Sequence, residues 1–240
     1  MPAFMPPPSG PAGQLPCKAG LFLLSAAPRL KRLMPLAAGL FLLTACDKED
    51  DGYFYPSLIT EFAELQTDGT GTGVSFTTDG GEDYAINSPL GGLQPDAVYR
   101  VVCGYEPTGG LRDGLPVARL YTLENAVLLQ PSEAPSAEDA PTGVTAVWRG
   151  GGYLNLQLTP KTQDGTQLWG YRTDSVRTAA SGQAFYHFSL YHRQPDDPYS
   201  YSATVYASLP LFQVDGLQPG DSLSFTVLTF EGRKTWRFLY

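Results

Sequence analysis

The chain has 240 residues, 16 of them basic and 24 acidic, for a formal charge of −8. Hydrophobic residues make up 42% and charged residues only 17%, so it can bury a core and is not a disordered polyelectrolyte. The acidic balance repels nucleic acid and anionic lipid head groups, so neither is expected as a partner.

Residues 1–28 are rich in proline and glycine. Arg29, Lys31 and Arg32 then precede an apolar run from Leu33 to Leu43. Its 11 residues are too few to cross a bilayer, which takes about 20 in a helix, and fit a signal-peptide core. The run closes on Leu43-Thr44-Ala45-Cys46, and Asp47-Lys48-Glu49-Asp50-Asp51 follows. Basic flank, short apolar core, small residues and cysteine resemble the signal and lipobox of a bacterial lipoprotein. The resemblance implies cleavage before Cys46 and lipid on its thiol, making 1–45 a leader and 46–52 an acidic tether. Ala19 to Ala27 nearly repeats Ala38 to Cys46 but lacks the thiol, so only Cys46 fits lipidation. A gene start assigned too early is the expected reading of the first copy, in preference to a functional extension. A start at Met34 would nonetheless leave out every basic residue of the flank.

Removing the leader takes away Lys18, Arg29, Lys31 and Arg32 and no acid, leaving 195 residues with 12 basic and 24 acidic. One acyl chain binds a membrane only marginally, whereas two or three hold firmly. The membrane is therefore expected as a partner through lipid on Cys46, not through a basic surface. Acidic residues directly after such a cysteine resemble the surface-export signal of Bacteroidetes lipoproteins. The expected location is the outer membrane, with the protein facing out. Of the three cysteines, Cys17 falls in the leader and Cys46 carries lipid. Only Cys103 remains, so no internal disulfide forms and the domains must rest on packed cores.

From Tyr53 the chain reads as strand and turn. Ser57 to Thr67 is taken as a strand, and Gly73 to Thr77 with Tyr84 to Ile86 as a hairpin across Asp79-Gly80-Gly81. Val98 to Tyr105 and Val117 to Leu129 add two more. Five strands over 53–130 match the count of a small OB-like barrel. Gln130 to Gly143 carries Pro131, Pro135 and Pro141, and 131–142 reads as a linker between two cores. Residues 143–240 give about seven strands, the signature of a β-sandwich. In Tyr153 to Leu158 three leucines alternate with Tyr, Asn and Gln, predicting one buried and one wet face. Leu168 to Thr173 is a weaker strand. Gly92-Leu93-Gln94-Pro95 and Gly216-Leu217-Gln218-Pro219 each precede a strand, as in fibronectin type III domains, and Tyr99 fits the corner tyrosine. Two Ig- or fibronectin-like sandwiches are the alternative to barrel plus sandwich.

Tyr53 to Phe62, Leu93 to Tyr105 and above all Val147-Trp148-Arg149-Gly150-Gly151-Gly152-Tyr153-Leu154-Asn155 resemble the NigD-like lipoproteins of Bacteroidetes. The resemblance spans most of the chain after Cys46. It implies an N-terminal OB-like domain and a C-terminal β-sandwich; the family takes its name from a bacteriocin-associated operon. It carries over no catalytic residue.

The residues themselves point away from catalysis. His187 and His192 are the only histidines and stand five apart on one strand, on opposite faces, so they cannot share a metal. No metal, cofactor or catalytic residue is expected. Asp79, Glu82 and Asp83 lie in a hairpin turn and Asp196-Asp197 in a loop, where solvated turns are the simplest reading. An envelope hydrolase using a carboxylate pair is the competing class. Arg149-Gly150-Gly151-Gly152 lacks the following helix that phosphate cradling needs and reads as a turn or bulge. The candidate binding surface is aromatic. Tyr191, Tyr199, Tyr201 and Tyr206 surround the loop His192 to Ser200, which Pro195 and Pro198 stiffen. Tyr191, Arg193, Asp196, Asp197, Tyr199 and Tyr201 are the candidate site. The expectation is a lipid-anchored, non-enzymatic, two-domain β-protein of the cell envelope that recognises an extracellular protein or glycan.

Overall fold

The computed structural model describes residues 57–240; the leader, Cys46 and the tether lie outside the described residues. Almost every described element is a strand. The first five are β1 (Ile59–Thr67), β2 (Gly73–Thr78), β3 (Asp83–Leu90), β4 (Val98–Arg112) and β5 (Leu115–Asn125). They close into a barrel in the order β1-β2-β3-β5-β4, antiparallel except where β3 meets β5. Alternation with period 2 sends Ala63, Leu65, Phe76, Ile86, Val101, Cys103 and Tyr105 inward to form its core. The sandwich alternative fails for this half because all five strands belong to one closed ring, β4 returning to pair with β1, which leaves no second layer. Tyr99 nevertheless locks its turn, its hydroxyl accepting the Gln94 N–H at 2.9 Å. Cys103 is a core residue, and burial, with Glu61 nearby, pushes its thiol up to about 12.

The chain then crosses into the sandwich through β6 (Val127–Leu128) and β7 (Gln130–Pro131). Next come β8 (Gly143–Gly150), β9 (Tyr153–Thr159), β10 (Lys161–Thr162), β11 (Leu168–Thr178) and β12 (Ala184–Arg193). The last four are β13 (Tyr201–Ser202), β14 (Val205–Pro210), β15 (Ser222–Thr229) and β16 (Gly232–Leu239). A five-stranded sheet, β16-β15-β12-β11-β7, faces a four-stranded one, β6-β14-β9-β8. Leu154, Leu156, Leu158, Leu209, Phe188 and Phe225 fill the space between them. The weak strand expected at Leu168 to Thr173 continues to Thr178 through a shift between Thr173 and Ser175. Residues 201–210 form two strands, because β13 pairs with β10 while β14 pairs with β9.

Sandwich pairing starts at Val127, and the proline-rich stretch lies along the sandwich. Gln130 and Pro131 pair with Gly170 and Tyr171 of β11. The Arg172 guanidinium clasps Asp139 at 2.5 and 2.9 Å, and the Ala140 N–H donates to the His192 carbonyl at 2.7 Å.

Barrel and sandwich meet through the outer face of β1 and β4. Phe62 and Val102 project from the barrel and pack with Ala126, Trp148 and Tyr206. Phe62 makes edge contacts with both rings, at 5.3 Å to Trp148 and 5.7 Å to Tyr206. Next to this apolar cluster stands Arg100, 4% exposed. Its guanidinium binds Asp79 at 2.6 and 2.8 Å, donates to Asn155 Oδ1 at 3.0 Å and to Ser208 Oγ at 3.2 Å. It lies 3.9 Å from the centre of the Tyr153 ring, whose hydroxyl donates to Glu64 at 2.6 Å.

This junction corrects three expectations. Asp79 is not a solvated turn residue; it is Arg100's counter-ion, and Asn155 donates to it at 2.6 Å. Tyr153 and Asn155 are not on a wet face, since the barrel covers them. Gly151, at φ +57°, is more than a bend, because a Cβ there would meet the Asp79 carboxylate at 2.4 Å.

Replacing Arg100 with Leu strands Asp79 in a largely dry junction. The expected cost is about 3–5 kcal/mol in urea unfolding. Lys234→Ala, which breaks the exposed Lys234–Glu231 pair, should change stability little.

Candidate functional site

The stretch His192 to Ser200 ends β12 with its first two residues and connects it to β13 through 194–200, at one end of the sandwich. Its centre is Asp197, which is 5% exposed. The Asp197 carboxylate accepts the Thr162 hydroxyl, the Gln163 N–H at 2.6 Å and the Gln167 amide at 2.9 Å. Burial opposes its ionisation, but these donors and the Gly165 N–H prevail and hold its pKa down at about 2. Asp197 therefore ties the loop to residues 162–167 and has little left for a ligand. Sequence reasoning placed it on the binding surface because its partners stand about 30 residues upstream, in a stretch without a strong pattern.

His192 reinforces the same corner. Its ring is 1% exposed and stacks on Trp169 with centroids 3.8 Å apart. Nδ1 lies 3.0 Å from the Ala140 carbonyl and Nε2 lies 3.3 Å from Gln167 Oε1. Burial depresses its pKa to about 4, against the raising influence of the Ala140 carbonyl, Asp139 and Asp197. His187 takes the opposite face of β12, where Nδ1 lies 2.7 Å from Ser224 Oγ. Alternation requires this separation.

The other predicted residues divide by exposure. Tyr199 and Tyr201 stand 55% and 48% exposed, and Asp196 is exposed. Tyr191 and Arg193 are half-buried, with the Arg172 guanidinium 5.1 Å from the Tyr191 ring centre. Tyr206 leaves the group, since it packs on Phe62 in the junction. The structure adds Phe230 from the turn between β15 and β16. It is 44% exposed, meets Tyr199 edge-on at 6.2 Å, and holds the Lys161 ammonium 5.5 Å from its ring centre. Phe230 was hidden in the sequence because it reads as the end of a strand.

A depression of about 360 Å³ opens beside Tyr199, lined by Ala140, Arg193, Gln194, Pro195, Asp197 and Pro198. Asp164 raises the pKa of the Tyr201 hydroxyl by accepting its hydrogen bond. The arrangement offers aromatic area, a lysine and a tyrosine hydroxyl on a fixed loop. Asp196 and Asp197 do not form a pair in a shared cleft, because Asp197 is turned in and occupied while Asp196 faces out. Among the described residues no group of three or more His, Cys, Asp or Glu could hold a metal, and no helix is long and apolar enough to cross a membrane.

Comparison with known proteins follows the same division. The NigD-like C-terminal β-sandwich domain matches residues 125–240, close to where sandwich pairing starts. A NigD-like immunity protein from Bacteroides caccae superposes with a TM-score of 0.58 at 24% identity, covering 78% of this chain and 99% of that one. A protein of unknown function from Bacteroides vulgatus has a TM-score of 0.59 at 14% identity, covering 77% and 91%. A Bacteroides fragilis protein that bears a lipoprotein name has a TM-score of 0.53 at 9% identity, covering 76% and 98%. No curated protein matches. At these identities the superpositions establish the fold.

Two pH windows follow from the corner. His192 is neutral when folded, so the unfolded chain binds the extra proton between the two pKa values. Its contribution is full above about 6.5 and is lost as pH falls toward about 4. Asp197, depressed instead, contributes above about 3.8 and loses its contribution toward about 2. Melting temperature should therefore fall between pH 6.5 and 4 in the native chain and fall less in His192→Phe. An unchanged pH profile in that variant would assign the acid loss elsewhere.

Proposed function

We propose a function from the premise that this chain is a NigD-like protein, carrying the family's C-terminal β-sandwich over residues 125–240. It is a lipid-anchored protein of the bacterial cell envelope that acts by binding an extracellular protein or glycan, not by catalysis. One observation carries the binding assignment. Tyr199 and Tyr201, at the end of a loop that Asp197 holds fixed, and Phe230, on the neighbouring β15–β16 turn, stay exposed at one end of the sandwich. A fixed loop loses little entropy on contact, and rings give contact area with few rotamers. The engagement of Asp197 by four donors supports the non-enzymatic reading over a carboxylate-pair hydrolase.

The location rests on the basic flank, the short apolar run and Leu43-Thr44-Ala45-Cys46. The outer membrane, with outward exposure, is proposed from the acidic residues that follow Cys46. The Bacteroides fragilis neighbour with a lipoprotein name fits this reading. An immunity role, as in the name of the Bacteroides caccae neighbour, is a second version of the same binding reading.

Cys46→Ser should block palmitate labelling and move the protein out of the membrane fraction. Continued labelling and sedimentation in that variant would remove the anchor from this reading. For the binding assignment, Tyr199→Ala with Tyr201→Ala should abolish capture of a partner found by pull-down or glycan array. Circular dichroism and melting temperature should stay near native values, since both side chains are about half exposed. Capture that survives both changes places the site elsewhere.

A further inference from the structure

The outer face of the five-stranded sheet carries charge opposite to that of the chain. Residues 57–240 contain 20 acidic and 11 basic side chains. Five of those 11, Arg172, Arg177, Arg193, Arg233 and Arg237, fall on this one face by strand register. Arg172 is neutralised by Asp139, and Asp174, which accepts the Ser189 hydroxyl, adds one carboxylate to the same face, which stays net basic. Arg177, Arg233 and Arg237 form no ion pair among the described residues.

The face is also grooved. Across β12, β15 and β16 two rows run side by side: Phe185, Ser222 and Leu239, then His187, Ser224 and Arg237. The middle strand supplies only serines, so the floor drops between the longer side chains on either side. The result is a groove of about 430 Å³, within the range of small-ligand sites. Phe185 and Leu239 are 38% and 61% exposed on its walls. Ser224 is held by His187, while Ser222 and the Arg237 guanidinium have no side-chain partner among the described residues.

We propose that this groove binds a sugar bearing a carboxylate, a uronic-acid unit of an acidic oligosaccharide. The apolar C–H face of such a ring packs on Phe185, its carboxylate takes the fork of Arg237, and its hydroxyls reach Ser222 and His187. A planar fork reads a carboxylate in two parallel hydrogen bonds, which a point charge does not. An acidic peptide fits less well. The groove is short and closed by side chains on both walls, and small hydroxyls line a floor where a peptide would bring apolar or branched side chains. This site is separate from the Tyr199–Tyr201 surface and stands or falls without it.

The test is isothermal titration of the full chain with trigalacturonic acid and with galactotriose. The acidic sugar should bind, and the neutral one at least about tenfold more weakly. Arg237→Gln should weaken acidic-sugar binding by about ten- to a hundredfold. Phe185→Ala should weaken it as well, with melting temperatures near native because both positions are on the surface. Tyr199→Ala with Tyr201→Ala should leave it unchanged. The proposal is overturned if neither sugar binds, if both bind equally, or if binding survives Arg237→Gln and Phe185→Ala. Equal competition by polyglutamate would overturn it in favour of an acidic protein, and loss of binding in the double tyrosine variant would move the sugar to the loop.

Discussion

Arg100 and Asp79 both belong to the barrel, yet their ion pair is completed only by the sandwich. Removing two charges from water costs several kcal/mol for each ion, and their mutual attraction offsets this only when the remaining donors and acceptors are also met. Asn155 and Ser208 meet them, both fully buried and both from the four-stranded sheet. The apolar cluster of Phe62, Val102, Trp148 and Tyr206 supplies area for docking but tolerates sliding. The polar group does not, because a displacement of one residue in β9 would put Leu154 or Leu156 against Arg100 in place of Asn155. Hydrophobic burial holds the two halves together, and the ion pair fixes their register.

That register decides which surfaces remain for recognition. The barrel consumes the outer face of β9 and β14, so the four-stranded sheet has little free face left. The five-stranded sheet keeps the β12–β15–β16 part of its outer face open, while residues 134–139 cover it around Arg172. The loops at the sandwich end stand clear of the junction. Asp197 then makes one of those loops rigid from inside. An aspartate that sequence reasoning assigned to ligand contact serves the site indirectly, by fixing where Tyr199 and Tyr201 point.

Strand existence was legible because it depends on local alternation. Gly73 to Thr78, Val98 to Tyr105 and Ala184 to Arg193 declare themselves by β-branched and aromatic content with a period of 2. The closed ring was legible only as a strand count, since closure requires β1 to meet β4 some forty residues away. Burial on the second face was illegible for the same reason. Asn155 and Arg100 look like wet-side residues until a partner 55 positions away covers them. The signal was nonetheless present in Val98 to Tyr105, a strand with almost no polar face. Such a run is what a strand buried on both sides looks like, and Arg100 within it asked for a counter-ion. The glycines at 150–152 likewise read as a turn, and only the structure shows the carboxylate that crowds them.

Net charge alone gives an incomplete account of what this chain can meet. At physiological salt, fields from exposed charges fade within about 8 Å, so a ligand in contact responds to the face beneath it and not to the sum over the molecule. The acidic total still acts during approach, where it disfavours long polyanions that must pass over the whole surface. A short anion confined to one groove escapes that penalty. Arginine also suits such a site better than lysine, since its weakly hydrated plane loses less on leaving water and can lie across neighbouring side chains. All five basic residues on the outer sheet face are arginines, whereas Lys161 and Lys234 lie off it. The chemistry that would recognise a carboxylate is thus concentrated on the one sheet face that the junction leaves open.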